Sequence, residues 1–138
     1  MDASDCTIDI LYVEDDKVDI ENVKRNFKKV NDRLTIAVAY NGIEALNMLC
    51  GLGGQKKLDP TPKIILLDIN LPKMDGIELL KKLRADPSFD LVRVYVLTAA
   101  YDTKRKIAMK NLNVSGWFVK PLEYQDALNI MWALLHAD

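Results

Sequence analysis

Polar residues directly follow several apolar runs of the sequence. They are Glu14, Asp15 and Asp16 after LYV, Asp68 after IILL, Thr98 after VYVL, and Lys120 after GWFV. Carboxylates brought together repel one another unless a cation is present. A hard divalent ion such as Mg²⁺ prefers oxygen ligands and would relieve this repulsion. With an ammonium group and a hydroxyl beside them, these carboxylates would have the groups that phosphoryl transfer to a carboxylate requires.

Predicted strands and helices alternate along the chain. Strands are predicted at residues 7–13, 34–40, 63–68, 92–99 and 116–120, and helices at 17–30, 42–50, 76–86, 103–112 and 122–135. This alternation predicts an α/β fold with a parallel sheet, and aliphatic runs such as KIILL and VYVL are typical of strands buried on both faces. Right-handed crossovers would place helices on both faces of the sheet. Ligands bind outside the carboxyl ends of such strands, so the polar residues should converge in space, with Asp68 just beyond the core and pointing into a cleft.

The helices are amphipathic, and their spacing predicts which side chains form the core. The predicted core positions are Val18, Val23, Phe27 and Val30 in the first helix, Ile43, Leu46 and Leu49 in the second, and Leu79, Leu80 and Leu83 in the third, with Met131 and Trp132 assigned to the core in the last helix. Asp16 and Asp19 are interpreted as first-turn acids placed against the helix dipole. Residues 51–62 lack the GxxxxGK[ST] spacing and are interpreted as a surface loop.

The composition limits the classes of function. The chain has 138 residues, of which 49% are apolar and 28% charged, with a formal net charge of −1. One domain spanning residues 1–138, with a core at about 6–136 and no output domain, is expected. The charge balance indicates no nucleic-acid partner and no anionic membrane surface, and no signal peptide or membrane span is visible. A cytoplasmic location is expected, with Cys6 and Cys50 as thiols.

Several motifs together resemble the receiver domain of response regulators in two-component signalling. The motifs are VEDD, LLDINLPKMDGIELLKKLR, VLTAA and GWFVKP, which occur in the family's order and extend over nearly the whole chain. The resemblance implies a flavodoxin-like (βα)5 doubly wound fold with sheet order 2-1-3-4-5. The loop at 51–62 and the segment RADPSFD resemble single-domain regulators associated with phytochrome-type kinases.

The resemblance also implies a role for each polar residue at the strand ends. Asp68 would accept a phosphoryl group from the phosphohistidine of a sensor histidine kinase. Asp15 would bind Mg²⁺ directly and Glu14, longer than the family's usual Asp, through water. Asp68 and the backbone carbonyl of Asn70 would complete the metal site, and Lys120 would contact the phosphoryl oxygens.

Other matching positions imply a conformational switch. Thr98 and the aromatic Trp117 would respond to phosphorylation, Trp117 being larger than the family's usual Tyr or Phe. Pro121 matches a cis-proline position, and Asp75–Gly76 matches the turn that opens the third helix. Asn70 and Ala100 flank the site and would tune the lifetime of the phosphoryl group.

The resemblance predicts a signalling switch that acts through partners. Phosphorylation would change a surface around the fourth helix, fifth strand and fifth helix, where the basic stretch 104–110 lies, and a downstream protein or a histidine phosphotransfer partner would respond. Self-association into a homodimer is left open.

No enzymatic turnover is expected beyond self-phosphorylation and autodephosphorylation. A haloacid-dehalogenase-type phosphatase would need an acid at position 70, where this chain has Asn. A receiver that acts only as a scaffold would lack the acceptor, the lysine or the acidic pair, and all of these are present. His136 is interpreted as a solvated tail residue.

Overall fold

The computed structural model describes residues 7–71, 74–99 and 103–135. Its elements are β1 (Ile10–Val13), α1 (Lys17–Val30), β2 (Ile36–Ala39), α2 (Gly42–Cys50), β3 (Ile64–Asp68), α3 (Gly76–Arg84), β4 (Arg93–Thr98), α4 (Thr103–Ala108), β5 (Val114–Val119) and α5 (Tyr124–Leu135), with a 3₁₀ turn at Pro87–Phe89. Every predicted strand and helix is present. The clearest differences in their ends are that α4 stops at Ala108, before turns at 109–112, and that β5 begins at Val114.

The five strands form one parallel sheet in the order β2-β1-β3-β4-β5, which confirms the predicted order. Near their carboxyl ends the strands are in register at Val13–Leu67, Asp68–Leu97 and Thr98–Val119. Residues that end or directly follow β1, β3, β4 and β5 therefore lie along one edge of the sheet. This edge is where an open parallel sheet of this order binds its ligands.

Two hydrophobic layers cover the sheet, one on each face. In β3, Ile65 and Leu67 pack toward α2 and α3, while Ile64 and Leu66 pack toward α1 and α5. All four side chains are fully buried, which explains why this strand reads as a continuous aliphatic run. Burial on both faces fixes β3 firmly, so the carboxylate at its end has a rigid support.

Most of the predicted core positions are confirmed, and three are wrong. Buried as predicted are Val23, Phe27, Leu49, Leu79, Leu80, Leu83 and Met131, while Val30 and Leu46 are half-buried. In contrast, Val18 is 78% exposed, Ile43 46% and Trp132 61%. The error for Val18 follows from helix geometry, because at 3.6 residues per turn Val18 and Phe27 lie on opposite sides of α1. Ile43 and Trp132 likewise lie off the inward stripes of their helices.

Helix ends and loops are fixed by polar contacts. Asp16 is the N-cap of α1 and its Oδ1 accepts hydrogen bonds from the amides of Val18 (2.8 Å) and Asp19 (3.2 Å), so its role at the helix start is a cap. Asp75 caps α3 in the same way, which agrees with the predicted turn at Asp75–Gly76. Residues 51–62 contain no helix or strand, as predicted for a loop.

The Arg84 side chain joins three separate segments at the amino-end side of the sheet. Its guanidinium donates hydrogen bonds of 2.9 to 3.0 Å to the carbonyls of Phe89, Val92, Leu112 and Asn113. All four acceptors are backbone oxygens, so the group is a structural clamp between the end of α3, the start of β4 and the turn before β5. Within the described ranges, no helix combines the length and apolar character needed to cross a membrane.

Candidate functional site

The carboxyl edge of the sheet brings together the side chains that sequence analysis selected. Glu14 follows β1, Asp68 and Thr98 are the last residues of β3 and β4, and Lys120 follows β5. Glu14 is 0% exposed, and Asp68 and Thr98 are each 4% exposed. The prediction that Asp68 lies beyond the core needs correction. Asp68 is the last residue of β3, paired in register with Leu97, and its side chain is buried.

The Lys120 ammonium lies at the centre of the site. Its Nζ is 2.8 Å from Oε1 of Glu14, 2.9 Å from Oδ2 of Asp19 and 3.0 Å from Oδ2 of Asp68. An ammonium has three donors, and here each one can face a carboxylate. Burial lowers the pKa of Lys120, but hydrogen bonds to the three carboxylates raise it more, so its pKa lies above the ordinary value. The group therefore stays charged, which is what binding a phosphoryl group requires.

Glu14 is a buried carboxyl group in a polar cage. Its Oε1 accepts a hydrogen bond from the Tyr12 hydroxyl (3.0 Å), and its Oε2 accepts one from the Asp16 amide (3.3 Å). Burial raises the pKa of Glu14 to about 7. The hydrogen bond from Lys120 acts against this rise, and the neighbouring Asp68 adds to it. Burial, and then the neighbouring Glu14 charge, raises the pKa of Tyr12 above its ordinary value. Near neutral pH, Glu14 is thus divided between its charged and protonated forms.

The Asp68 carboxylate is held from two sides. Its Oδ1 accepts a hydrogen bond from the Asn70 amide (2.9 Å), and its Oδ2 accepts one from Lys120 (3.0 Å). The carbonyl of Ile69, the next residue, accepts from Arg105 Nη1 of α4 (2.7 Å). The backbone after the carboxylate is therefore tied directly to α4.

Gly76, at the start of α3, packs against the same segment. A Cβ atom at Gly76 would lie 2.7 Å from the Cα of Ile69, a distance that real Cβ atoms essentially never show. The Gly76 amide also donates to the Ile69 carbonyl at 3.4 Å. Close approach of two backbones explains why glycine occupies this position.

The acidic residues fit a divalent cation. One carboxylate oxygen from each of Glu14, Asp15 and Asp68 lies within 4.8 Å of the others. Glu14 and Asp68 are buried whereas Asp15 is exposed, so the group faces solvent on one side. Carboxylate oxygens are the ligands that Mg²⁺ and Mn²⁺ prefer. The residues present could therefore hold such an ion, and the assignment of the Asn70 carbonyl as a further ligand stays a prediction.

The predicted switch residues, Thr98 and Trp117, lie at the end of β4 and within β5. The Thr98 carbonyl accepts a hydrogen bond from the Lys120 amide (2.8 Å), which joins the ends of β4 and β5. Trp117 is half-buried against the α2/α3 layer, and Lys106 Nζ lies 5.9 Å from its ring centroid. A cavity of about 380 Å³ separates α4 from β5 beside this ring. The Lys120–Pro121 bond is cis, as predicted, while Ala100, Cys6 and His136 lie outside the described residues.

Sequence analysis missed two residues of the site. Asp19, interpreted as a dipole acid, is an ion-pair partner of Lys120. Tyr12 donates its hydroxyl hydrogen bond to Glu14. The signal for Tyr12 was present in the sequence, because residues two apart on a strand share a face. The sequence signal for Asp19 was weaker. It consisted of polar residues on the inner side of α1, where Asn22 and Asn26 donate hydrogen bonds of 2.8 and 2.9 Å to the Leu122 carbonyl.

The sequence as a whole matches a known family. The model of the response regulator receiver domain aligns with residues 10–131. The chain belongs to this family. Receiver domains are phosphorylated by histidine kinases and signal to downstream partners in two-component systems. The predicted identity and fold class are therefore confirmed.

Similar proteins support this membership. A two-component response regulator from Legionella pneumophila is 49% identical, with a TM-score of 0.88 over 95% of this chain and 100% of that one. Response regulator Rcp1 from Synechocystis sp. is 31% identical over 88% of this chain and 82% of Rcp1. The structure of Rcp1 in its Mn²⁺-bound form covers 91% of this chain and 89% of that one, with a TM-score of 0.75.

A third similar structure is the phosphorylated cyanobacterial phytochrome response regulator RcpA. It is 26% identical, with a TM-score of 0.78, and covers 93% of this chain and 91% of that one. The chain spans about half the length of the MprA response regulator of Mycobacterium ulcerans, which it also matches. The similarity therefore includes phytochrome-associated regulators, the subgroup that the sequence resembled.

Proposed function

We propose that this receiver domain is a phosphorylation switch in which Asp68 is the acceptor. The observation that carries the proposal is the position of Lys120, whose ammonium lies 3.0 Å from the Asp68 carboxylate and also contacts Glu14 and Asp19. A fixed positive charge beside a buried carboxylate is suited to bind the oxygens of an incoming phosphoryl group. The similarity to phosphorylated RcpA supports the same chemistry.

In the proposed step, an Asp68 oxygen attacks the phosphorus of a kinase phosphohistidine. The new O–P bond forms as the P–N bond breaks, and the imidazole nitrogen leaves with the electron pair of that bond. Lys120 binds the phosphoryl oxygens, and the Asn70 amide continues to orient the carboxylate. Glu14, Asp15 and Asp68 would hold Mg²⁺, which would supply positive charge against the phosphoryl oxygens. The similarity to Mn²⁺-bound Rcp1 supports a divalent cation at these positions.

The proposed output is a change in the surface of α4, β5 and α5. Arg105 joins α4 to the backbone after Asp68, so a shift of that backbone would reach α4 directly. Thr98 and Trp117 form the second route, through β4 and β5. Beside Trp117 the surface carries Lys106, Lys110 and the exposed Ile107, which suits a protein partner. The partner would be a downstream protein or a histidine phosphotransfer protein, and the signal would pass in the cytoplasm.

We further propose that the domain turns over no external substrate. The position two residues after the acceptor is Asn70, which cannot donate a proton as a general acid does. Incubation with an aryl phosphate should therefore give no sustained release of the corresponding phenol. Continuous release above that of Asp68→Asn would contradict this part of the proposal.

The direct test is intact mass spectrometry after incubation with acetyl phosphate and Mg²⁺. The wild type should gain one phosphoryl group, and Asp68→Asn should gain none. Trp132→Phe then leaves Trp117 as the one tryptophan, so a fluorescence change on phosphorylation would report on the β5 side of the switch. Equal labelling of Asp68→Asn would refute the acceptor assignment, and an unchanged Trp117 signal would refute its part in the switch.

A further inference from the structure

Lys120 shares two of its three carboxylate partners with the group that could hold a metal ion. Glu14 and Asp68 belong to both sets, because they contact the ammonium and lie in the acidic cluster with Asp15. Asp19 contacts the ammonium at 2.9 Å but is outside that cluster. It is therefore the one described carboxylate partner of Lys120 that a bound cation would leave available.

An ammonium and a divalent cation at these oxygens compete. Both are positive, and both are drawn to the same Glu14 and Asp68 carboxylates. If the cation takes these oxygens, Lys120 loses two hydrogen-bond acceptors and needs another partner near the acceptor residue. Without such a partner, the ammonium stays drawn to these oxygens and opposes cation binding.

Asp19 is held where it can provide this partner. It lies in the first turn of α1, whose N-cap Asp16 fixes the helix start. Further along α1, the amide groups of Asn22 and Asn26 both donate to the Leu122 carbonyl, at 2.8 and 2.9 Å. These contacts bind α1 to the segment that directly follows Lys120. The distance between Asp19 and the Lys120 ammonium is thus set by packed structure rather than by two mobile surface chains.

We propose that Asp19 is a positioning residue that keeps the Lys120 ammonium at the site when a divalent cation occupies Glu14 and Asp68. Asp19 lies outside the acidic cluster and would act mainly through Lys120. The inference rests on the proposed function, since it assigns a role within that metal-dependent site. It predicts that Asp19 favours cation binding more strongly while residue 120 carries a positive charge.

A double-mutant cycle on Mn²⁺ binding tests the proposal. Free Mn²⁺ is measured by its electron paramagnetic resonance signal, without any phosphodonor, for the wild type, Asp19→Asn, Lys120→Gln and the double variant. Lys120→Met provides a second neutral background if the glutamine variant does not fold, and thermal unfolding checks each protein. The matched control is Glu21→Gln, which removes the same charge from an exposed position of the same helix.

Asp19→Asn should weaken Mn²⁺ binding about three- to tenfold while Lys120 is present, the size expected for one partly buried charged contact. In the Lys120→Gln background the same change should weaken binding at least about twofold less, because only the direct attraction between the Asp19 charge and the cation is then lost. Glu21→Gln should cost less than about twofold in either background. Equal weakening in both backgrounds would overturn the proposal, because Asp19 would then act by its charge alone. No weakening beside Lys120 would also overturn it. The cycle contains no phosphodonor, so a failure of Asp68 phosphorylation would leave its result unaffected.

Discussion

The buried Glu14 carboxyl should make the stability of this domain depend on pH in the neutral range. Burial raises its pKa from an ordinary 4.5 to about 7, so the folded protein binds this proton more tightly than the unfolded chain does. The resulting stabilisation is fully present below pH about 4.5 and is lost as the pH rises through about 7. At 1.36 kcal/mol for each pKa unit, the loss is about 3 kcal/mol at most.

The assay is urea unfolding of the wild type and Glu14→Gln from about pH 5 to about pH 8, with divalent ions chelated. Glutamine is neutral at every pH and retains polar contacts, so subtracting its profile isolates the Glu14 titration from that of other groups. The free energy of unfolding of the wild type should fall relative to the variant by about 2–3 kcal/mol across this range. Millimolar Mg²⁺ should restore part of that loss at the upper end, since ion binding favours the charged form.

Parallel profiles for the two proteins would contradict the prediction, because Glu14 would then titrate alike in the folded and unfolded states. A wild type that gains stability relative to Glu14→Gln as the pH rises would refute it more strongly. That result would mean that the Lys120 contact outweighs the effect of burial.

Three further predictions concern the structure around the site. Arg84→Met should lower the free energy of unfolding by about 2–4 kcal/mol in urea unfolding, because four backbone carbonyls lose one charged donor; a loss below about 0.5 kcal/mol would contradict the clamp. Gly76→Ala should cost about 1–3 kcal/mol by the same measurement, since its Cβ would lie 2.7 Å from the Cα of Ile69, and should slow labelling by acetyl phosphate. Arg105→Ala should speed amide exchange in α4 about tenfold, because this six-residue helix has no buried residue among those described and loses its bond to the Ile69 carbonyl. Unchanged exchange would show that other contacts hold α4.

The fold could be predicted largely from the sequence because its signals are local. Continuous aliphatic runs indicated the buried strands, and their alternation with amphipathic segments indicated a parallel sheet. The sheet order came from the family resemblance instead, since no periodicity specifies which strands are neighbours. The buried faces of the helices were harder to predict, as Val18 shows. This apolar residue is exposed because the helical angle places it on the opposite side of α1 from Phe27.

The convergence of the polar side chains could be predicted for residues at strand ends, and less well for residues placed by helix packing. Glu14, Asp68, Thr98 and Lys120 each end or follow a strand, so topology alone brings them together. Predicting the role of Asp19 would have required knowing how α1 packs beside the segment after Lys120. The sequence does not reveal the distance between Asp19 and the Lys120 ammonium. The raised pKa of Glu14 likewise arises from complete burial, which no residue type predicts by itself.

The claim that Asp68 is the phosphoryl acceptor is tested most directly by locating the modified residue. The protein is incubated with acetyl phosphate and Mg²⁺, reduced with borohydride, which converts an aspartyl phosphate to homoserine, and then digested for peptide mass spectrometry. Homoserine should appear at residue 68 and should be absent when the phosphodonor is omitted. Homoserine at Asp15 or Asp19 with Asp68 unmodified would contradict the assignment of Asp68 as the acceptor.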